Sequence, residues 1–423
     1  MRQKVAIVGS GISGLTTAWL LHQQHEVTVY EAGDTLGGHT NTEHVEVQGQ
    51  IYPVNTGFIV YNDWTYPNFE RLLAQLGGLQ SEKTQMSFSV SCEQTGLEYC
   101  GSSVAALFAQ KRNWLNPRFH KMIRTILRFN RESLERLEAQ CIPADQTLDE
   151  YLQTHGYRGW FVDKYIVPMG AAIWSTGQQA MLAAPALFFL RFFRNHGLLS
   201  VKNRPQWYTL SGGSEAYIDP ITRGFQDRIF RHSPVRRVER RADQVIITTD
   251  QGQQSFDQVV FACHSDQALA ILAEPTAAEQ SVLGNMPYTE NDVILHTDAS
   301  ILPKRRKAWA AWNYHIGETE QAGVAVTYNM NILQNFQDAP ETFCVSLNYQ
   351  GAIDENRIIK RFRYSHPLFS AQSQSAQARF HEISNQNRTH YCGAYWFNGF
   401  HEDGVNSALR VVADFSLGWP EPV

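Results

Sequence analysis

The first 31 residues have the order strand, glycine-rich turn, helix and second strand, and this order constrains the fold more than any other feature. The apolar run Val5 to Val8 predicts a buried strand, and Val27 to Val29 predict a second strand that ends just before Glu31. The turn between them has the pattern GxGxxG, made up of Gly9, Gly11 and Gly14, with Ile12 and Ser13 between the last two glycines. Such a βαβ unit is typical of a doubly wound parallel sheet that binds a dinucleotide.

Each part of this motif has a mechanical role in holding a dinucleotide. Gly9 allows the tight turn, Gly11 lets the backbone approach the pyrophosphate, and Gly14 lets the helix pack closely on the sheet. The pyrophosphate then lies at a helix N-terminus, where free N–H groups and the helix dipole favour an anion. Glu31, twenty residues after Gly11, is placed to accept hydrogen bonds from both ribose hydroxyls and to repel a 2′-phosphate. We therefore expect NAD or FAD rather than NADP.

Two further segments follow the second strand and carry the next signal. They are Gly37, Gly38, His39 and Thr40, and then Asn55, Thr56 and Gly57. These segments resemble the extended FAD fingerprint of the flavin amine oxidase superfamily, which includes monoamine and polyamine oxidases, protoporphyrinogen oxidase and the phytoene desaturases. The resemblance implies FAD as the cofactor, with these residues against it and Gly57 near the flavin ring. The superfamily usually has an arginine after the two glycines, so the charge pairing of that arginine with the phosphates is not implied at His39.

The C-terminal region supplies a second match to the superfamily. Tyr391 to Trp396 predict a short strand, and a helix is predicted from Val405. A loop that leads into a helix N-terminus suits a polar ligand group held by backbone N–H groups. The resemblance implies that Asp403, Gly404 and Val405 bind the ribityl chain and the pyrimidine end of FAD.

Residues 230–262 predict a meander of three strands with tight polar turns. These strands are Pro234 to Val238, Gln244 to Thr249, and Gln258 to Ala262, the last of which is expected to return to the nucleotide-binding sheet. The resemblance implies that the Val235 backbone lies against the adenine and that Ala262 also contacts the cofactor.

The spacing of these signatures predicts an α/β protein with two interleaved domains. At 423 residues the chain exceeds the length that one core usually holds. We expect residues 1–60, 200–270 and 388–423 to form a Rossmann-type FAD-binding domain of the glutathione-reductase-like kind. The remaining segments, 61–199 and 271–387, are expected to form an α+β substrate domain.

Two amphipathic stretches indicate an apolar substrate or a lipid surface. A helix is predicted over Asn116 to Leu137, with an apolar face and several arginines, and the run Pro185 to Leu199 contains phenylalanines at positions 188, 189, 192 and 193. Such helices either rest on anionic lipid or pack on a core with a solvated cationic face, and both interpretations stay open. Some of the phenylalanines are expected to line an apolar substrate tunnel.

Further phrases narrow the resemblance to one bacterial branch of the superfamily. They are Trp207 to Ser214, Ile294 to Asp298, and Lys307 to Tyr314. Members of this branch are often associated with cyclopropane-fatty-acyl-synthase-like methyltransferases, and some desaturate methylated fatty acyl chains. The resemblance therefore implies a lipid substrate and a lipid methyltransferase as a partner.

The expected reaction is hydride transfer from a C–H bond to flavin N5, with a proton removed from the neighbouring carbon. Four residues of the motifs are candidates for the proton acceptor: His39, Tyr61, Tyr395 and His401. Tyr395 and Trp396 have the alternative role of an aromatic wall beside the flavin ring. Two other functions stay open. One is an amine oxidase, for which Lys304 and Lys307 are the lysines considered, and the other is a non-catalytic flavoprotein that presents lipid to a methyltransferase.

Composition argues against several other classes of protein. Lys and Arg number 36 against 41 Asp and Glu, with no basic domain, so nucleic acid is not an expected partner. The six cysteines form no CxxC pair and have no histidine spacing suited to zinc, so we expect reduced thiols and no metal. No apolar run reaches transmembrane length, and the first strand begins almost at once. We expect a cytoplasmic protein, with peripheral contact to the inner membrane as an open alternative.

Overall fold

The computed structural model describes residues 2–318 and 324–420. Within this part the chain forms 20 strands in five sheets and 14 α-helices, which confirms the predicted α/β class. The helices are α1 (Ile12–Leu21), α2 (Pro67–Gln75), α3 (Val104–Leu107), α4 (Pro117–Glu138), α5 (Leu148–Thr154), α6 (Val167–Trp174), α7 (Gln178–Ala183), α8 (Ala186–Asn195), α9 (Ile218–Thr222), α10 (Ser265–Ile271), α11 (Ala277–Leu283), α12 (Met330–Leu333), α13 (Ala371–Ala378) and α14 (His401–Asp414). The strands are β1 (Lys4–Val8), β2 (Glu26–Tyr30), β3 (Thr42–Val47), β4 (Gln50–Asn55), β5 (Tyr61–Asn62), β6 (Ser81–Thr84), β7 (Phe88–Cys92), β8 (Leu97–Cys100), β9 (Trp207–Leu210), β10 (Ile229–Phe230), β11 (Val235–Arg240), β12 (Val245–Thr249), β13 (Gly252–Phe256), β14 (Gln258–Phe261), β15 (Tyr288–His296), β16 (Trp312–Ile316), β17 (Val324–Asn329), β18 (Cys344–Leu347), β19 (Ile358–Pro367) and β20 (Thr389–Tyr391).

The N-terminal motif lies in a five-stranded parallel sheet with the order β10-β2-β1-β14-β20. The apolar residues of β1 and β2 are buried, and α1 packs against them together with α14. The predicted strand, helix and second strand are confirmed. Because the strands are parallel, the loops that follow β1, β2, β14 and β20 all leave the same edge of the sheet, where α/β proteins bind their ligands.

The predicted meander is present, but the prediction missed one of its strands. β11, β12 and β13 form a three-stranded antiparallel sheet, and the predicted strand Gln258 to Ala262, here β14, returns to the parallel sheet as expected. The extra strand arises because a tight turn pairs Thr249 with Gly252, whose φ of +129° suits glycine. The chain then has room for β13 before it returns to β1.

A seven-stranded sheet has the order β19-β15-β18-β17-β16-β7-β8. Its strands come from two distant parts of the sequence, since β16 pairs in parallel with β7. The predicted helix over Asn116 to Leu137 is confirmed as α4, which packs with α5 and α8 around a core rich in phenylalanine and tyrosine.

The division of the chain into two interleaved domains stays a prediction. In the described residues, no helix combines the length and the apolar character needed to cross a bilayer. All six cysteines are free thiols.

Candidate functional site

The turn after β1 forms a glycine-lined cradle at the N-terminus of α1. Gly9 has a φ of +106°, and a Cβ on it would lie 2.9 Å from the Ala262 carbonyl oxygen. A Cβ on Gly14 would lie only 2.1 Å from the Gly9 oxygen, whereas a Cβ on Gly11 would have no protein atom within 4 Å. Gly9 and Gly14 are therefore required by packing, and Gly11 faces open space. This arrangement fits the pyrophosphate of a dinucleotide.

The residues around this turn are held firmly against the sheet. Ile12 and Ser13, in the first turn of α1, are buried, and the Ser13 carbonyl accepts a hydrogen bond from Thr17 Oγ1 at 2.8 Å. The Ala262 amide donates to the Val8 carbonyl at 2.8 Å, which places Ala262 beside the glycine turn. Val235, at the start of β11, is also buried.

Glu31 follows β2 and fastens the glycine turn. Its carboxylate accepts hydrogen bonds from the Ser10 amide at 2.9 Å, from the Ser10 hydroxyl and from the Gly33 amide at 2.8 Å. A carboxylate has about four acceptor positions, so the protein uses three of them and leaves about one for a ribose hydroxyl. The contact of Glu31 with both ribose hydroxyls stays a prediction.

The second glycine pair lies directly on the first turn. The Gly37 amide donates to the Ser10 carbonyl at 3.0 Å, and Gly37 and Gly38 both have positive φ, +103° and +58°. A Cβ on Gly38 would lie 3.3 Å from Gly11 Cα. Thr40 is buried next to this pair and shares a hydrogen bond of 2.6 Å with the Tyr217 hydroxyl. The two glycine segments thus form one continuous backbone surface.

Residues Asn55 to Gly57 lie against the same loop. A Cβ on Gly57 would meet the His39 carbonyl oxygen at 2.1 Å, so packing within the protein already requires glycine at this position. Thr56 Oγ1 lies 2.9 Å from the Tyr364 hydroxyl. Asn55 Nδ2 is a buried donor without a hydrogen-bond partner in the described part of the chain, and an added ligand group would satisfy it.

The C-terminal segment differs from its prediction in two places. The strand ends at Tyr391, because Gly393 has a φ of +156° and residues 394–396 form a 3-10 turn. α14 begins at His401, four residues before Val405, because the Asp403 carboxylate caps the helix by accepting the Phe400 amide at 2.9 Å. A Cβ on Gly404 would lie 2.5 Å from Ile12 Cγ2, so this glycine lets α14 approach α1.

The two carboxyl groups at the start of α14 are electrostatically perturbed. Burial raises the pKa of Asp403 to about 7, and burial also raises the pKa of Glu402. Glu402 accepts hydrogen bonds from the Asn68 and Phe69 amides, at 3.0 and 2.8 Å, and so caps the N-terminus of α2. Both carboxyl groups therefore bind backbone amides, and Asp403 carries less negative charge at neutral pH than an exposed acid.

A cavity of about 1030 Å³ lies between α8, the start of α2 and the segment that opens α14. Its aromatic lining comes from Phe188, Phe192, Trp396, Phe397 and Phe400, and Arg191 and Arg194 lie on its exposed side. The two other phenylalanines of α8, 189 and 193, are fully buried in the helical core instead. Two of the four phenylalanines thus line a cavity, as the sequence suggested for some of them.

Comparison with known proteins identifies the family. Residues 12–331 match the family of flavin-containing amine oxidoreductases, which is more than half of the chain. The chain belongs to this family. It is therefore an FAD-dependent oxidoreductase, and the cradle formed by the glycine segments fits that cofactor.

Individual relatives are distant. A 76-residue segment is 33% identical to the carotenoid phi-ring synthase of Chlorobaculum tepidum, over 18% of this chain and 12% of that protein's length. The structure of a CLA-producing fatty acid isomerase from P. acnes is similar with a TM-score of 0.69 and 14% identity, over 98% of both chains. The structure of cyclohexylamine oxidase from Brevibacterium oxydans IH-35A is similar with a TM-score of 0.70 and 14% identity, over 98% of this chain and 100% of the oxidase. At such identities these structures show a shared fold.

Two of the predicted proton acceptors of this amine oxidoreductase are engaged within the protein core. The Tyr61 hydroxyl donates to Ser81 Oγ at 2.6 Å, and its ring stacks on Tyr208. His401 stacks on Phe58 at 3.8 Å between ring centres, and its Nε2 lies 2.9 Å from the Tyr217 hydroxyl. These contacts give both residues a structural role, and their catalytic assignment stays a prediction.

His39 instead lies in a cluster of three histidines. The centre of its ring is 5.4 Å from that of His366, at the end of β19, and 6.4 Å from that of His264, after β14. Burial lowers the pKa of His39 to about 3 and that of His366 to about 4, and it also lowers the pKa of His264. His39 Nε2 is buried without a hydrogen-bond partner in the part of the chain that the structure covers. The cluster therefore presents neutral imidazoles.

His264 and His366 were not predicted as site residues from the sequence. His264 carried one usable signal, since it follows β14 of the parallel sheet by three residues and so lies at the ligand-binding edge. His366 carried none, because β19 belongs to a different sheet.

A row of aromatic rings connects the histidine cluster to the cavity. His264 stacks on Tyr288 at 4.1 Å, Tyr288 meets Tyr395 at 6.3 Å, and Tyr395 meets Trp396 at 5.2 Å between ring centres. The Tyr395 hydroxyl and Trp396 Nε1 are both buried without hydrogen-bond partners in the described residues. Lys304 and Lys307, by contrast, are exposed and are not among the residues that line the cavity.

Proposed function

We propose that the protein oxidises the acyl chain of a fatty-acid-like or other lipid substrate, forming a carbon–carbon double bond. The observation that carries this proposal is the cavity of about 1030 Å³, whose lining combines aromatic side chains with polar ones and with two exposed arginines. An apolar body with a few polar groups at one end is the usual form of a site for an amphiphilic small molecule.

The two arginines indicate that the proposed substrate has an anionic group at one end. Arg191 and Arg194 lie one turn apart on α8, and Arg194 is bonded only weakly, to the neighbouring Asn195 side chain at 3.4 Å. A guanidinium binds a carboxylate or phosphate through paired hydrogen bonds. The acyl chain would then extend past Phe188 and Phe192 toward Trp396. Two similar proteins, a fatty acid isomerase and a carotenoid phi-ring synthase, are named for compounds with long hydrocarbon chains.

Double-bond formation removes a hydride from one carbon and a proton from its neighbour. FAD supplies the hydride acceptor when it is bound. The chain must accept the proton, and a neutral imidazole is suited to this task. We assign that role to the cluster of His39, His264 and His366, in which the buried Nε2 of His39 has no hydrogen-bond partner among the described residues.

The test is anaerobic and follows the flavin absorbance while fatty acids, their methyl esters, phospholipid vesicles or polyamines are added. Bleaching by fatty acids or phospholipids alone would support the proposal. Replacing Arg191 and Arg194 by alanine should raise the fatty acid concentration for half-maximal bleaching about 10-fold or more, and leave the methyl ester unaffected. Arg237→Ala, at an exposed arginine of β11, is the matched control.

The proton acceptor is tested with asparagine at each of the three clustered histidines. Loss of the acceptor should slow bleaching about 100-fold or more, with FAD content and substrate affinity retained. His232→Asn, at an exposed histidine, is the control. If none of the three variants slows bleaching, the assignment is wrong even where the substrate is right.

An amine oxidase is the second candidate. Glu402 and Asp403 line the same cavity, and a cationic amine requires acidic partners. Bleaching by polyamines alone would favour this candidate. Bleaching by no compound would favour a flavoprotein that presents lipid to another enzyme.

A further inference from the structure

We propose that the protein docks on anionic phospholipid bilayers through one surface, here named the basic face. It consists of residues 104–128, which cover α3, the connection to α4 and most of α4, together with residues 304–307. The proposal is independent of the substrate, because it rests on exposed side chains outside the cavity.

The sequence of the basic face is unusual in its charge. Between Tyr99 and Arg131 the chain contains no Asp or Glu, although acids outnumber bases in the whole protein. The same stretch contains seven cations, all exposed: Lys111, Arg112, Arg118, Lys121, Arg124, Arg128 and Arg131. Of these, only Arg128 and Arg131 have a carboxylate oxygen within 4.0 Å in the described part of the chain. The positive charge is therefore available to a partner.

α4 presents its cations on one side and its apolar residues on the other. Arg118, Lys121 and Arg124 follow each other at three-residue spacing on the exposed side. Phe119, Met122 and Phe129 are buried against the protein. Most of the apolar side of α4 is therefore occupied, and the exposed side of the helix contributes mainly charge, with Leu127, 51% exposed, as an added apolar residue.

Most of the apolar contribution comes from the segment before α4. Leu115 is 91% exposed, Trp114 is 53% exposed and Val104 is 65% exposed. Trp114 is held in place, since its ring stacks on Phe108 at 3.8 Å and its carbonyl oxygen lies 2.8 Å from His120 Nε2. A rigid tryptophan beside leucine, surrounded by cations, is suited to the interface between lipid headgroups and acyl chains.

An open groove of about 460 Å³ lies among these side chains. It is lined by Trp114, Leu115, Pro117, His120, Ile123 and Arg124. The groove therefore places apolar side chains next to a cation, which suits contact with both the acyl chains and the anionic headgroups of lipid.

A second basic segment extends the face. Residues 304–307 have the sequence Lys-Arg-Arg-Lys and are all exposed. They lie beside α3, because Ala106 packs with Ala310 and Cys100. The one acid at this junction, Glu98, is buried and accepts the amides of Lys304 and Arg305 at 2.9 and 3.1 Å. Because this carboxylate is buried and binds two amides, it does not offset the positive charge at the surface. The four cations of residues 304–307 therefore lie next to the exposed Val104.

The experiment measures co-sedimentation of the full-length FAD-loaded protein with vesicles. We expect binding to phosphatidylcholine vesicles that contain 30% phosphatidylglycerol, and at least 10-fold weaker binding to pure phosphatidylcholine. Reversing Arg118, Lys121 and Arg124 to glutamate should weaken binding about 100-fold, since each cation near an anionic surface contributes about a fivefold effect. Leu115→Asp should also weaken it and abolish the blue shift of tryptophan fluorescence.

The matched controls lie away from the basic face. They are the triple charge reversal Arg2→Glu, Arg223→Glu and Arg237→Glu, and the substitution Ile51→Asp at an exposed apolar residue of β4. Equal loss of binding in these controls would overturn the proposal, as would equal binding of the wild type to neutral and anionic vesicles. The proposal is also wrong if the wild type does not bind vesicles but binds duplex DNA. The same holds if the wild type does not bind vesicles but self-associates, and Leu115→Asp abolishes that self-association; in either case the basic face has another partner.

Discussion

Mild acid should unfold this protein, because five histidines are held neutral by their surroundings: His296 and His401 are buried, and His39, His196 and His366 are partly buried. Burial is the largest cause at each of them. It lowers the pKa of His39 and His401 to about 3 and that of the other three to about 4.

The magnitude follows from the difference in proton binding between the two states. Below its ordinary pKa of 6.5, an unfolded histidine takes up a proton, whereas these folded histidines remain neutral until pH 3 to 4. Their stabilising contribution is therefore complete above pH 6.5 and is lost as the pH falls. At 1.36 kcal/mol per pH unit, each loses about 2 kcal/mol between pH 7 and pH 5, or about 9 kcal/mol for five.

Buried acids act in the opposite direction, because burial raises the pKa of Glu402 as well as that of Asp403. The pKa of Asp403 is raised by burial from 3.8 to about 7, so its protonation stabilises the folded state by about 2 kcal/mol between pH 7 and pH 5. The net expected loss is at most about 7 kcal/mol, which is comparable with the total stability of many proteins.

Urea unfolding, followed by tryptophan fluorescence at pH 7, 6 and 5, measures this loss. His296→Gln should reduce the pH 7 to pH 5 difference by about 2 kcal/mol, because His296 is buried in β15 away from the cavity. His232→Gln, at an exposed histidine, should leave the difference unchanged. A wild-type difference below about 2 kcal/mol, or an unchanged difference in His296→Gln, would refute the reasoning.

Three further substitutions test the packing of the fold. Gly14→Ala should prevent folding of the nucleotide-binding turn and remove both FAD and thermal stability, because the new Cβ meets the Gly9 oxygen at 2.1 Å. Gly11→Ala should leave the apoprotein's melting temperature unchanged but weaken FAD retention on gel filtration, because its Cβ enters open space. Glu279→Ala should destabilise the protein by about 3–5 kcal/mol in urea unfolding, because it leaves the largely buried Arg240 guanidinium unpaired. Equal behaviour of the two glycine variants, or a loss below about 1 kcal/mol for Glu279→Ala, would contradict these expectations.

The fold was predictable where the determining interactions are local. β1, α1 and β2 follow from apolar periodicity and three glycines within 31 residues, and α4 follows from its 3.6-residue pattern. Prediction failed where no apolar periodicity marks the boundary. α14 starts at His401 because the Asp403 side chain caps it, and β13 forms because a turn pairs Thr249 with Gly252.

The site was predictable only in part for the same reason. The glycine segments carry their own signal, because positive φ and close approach require glycine at fixed spacing. The histidine cluster has no such signal. His39, His264 and His366 come from three positions more than 100 residues apart, and only the folded sheets bring them together. A sequence motif can therefore identify the cofactor here more readily than the group that accepts a proton.

The choice of substrate must depend on residues outside the shared framework. A cyclohexylamine oxidase and a fatty acid isomerase align with nearly the whole chain at 14% identity each, so the common fold admits substrates of opposite polarity. The cavity lies outside this shared framework. Its lining comes mainly from α8, the start of α2 and the opening of α14, and not from the glycine cradle. The arginines and phenylalanines of α8 can change without disturbing the turn at Gly9 to Gly14. For the proposed lipid substrate, α8 must keep Phe188 and Phe192 in the cavity lining and Arg191 and Arg194 where they can bind the polar end.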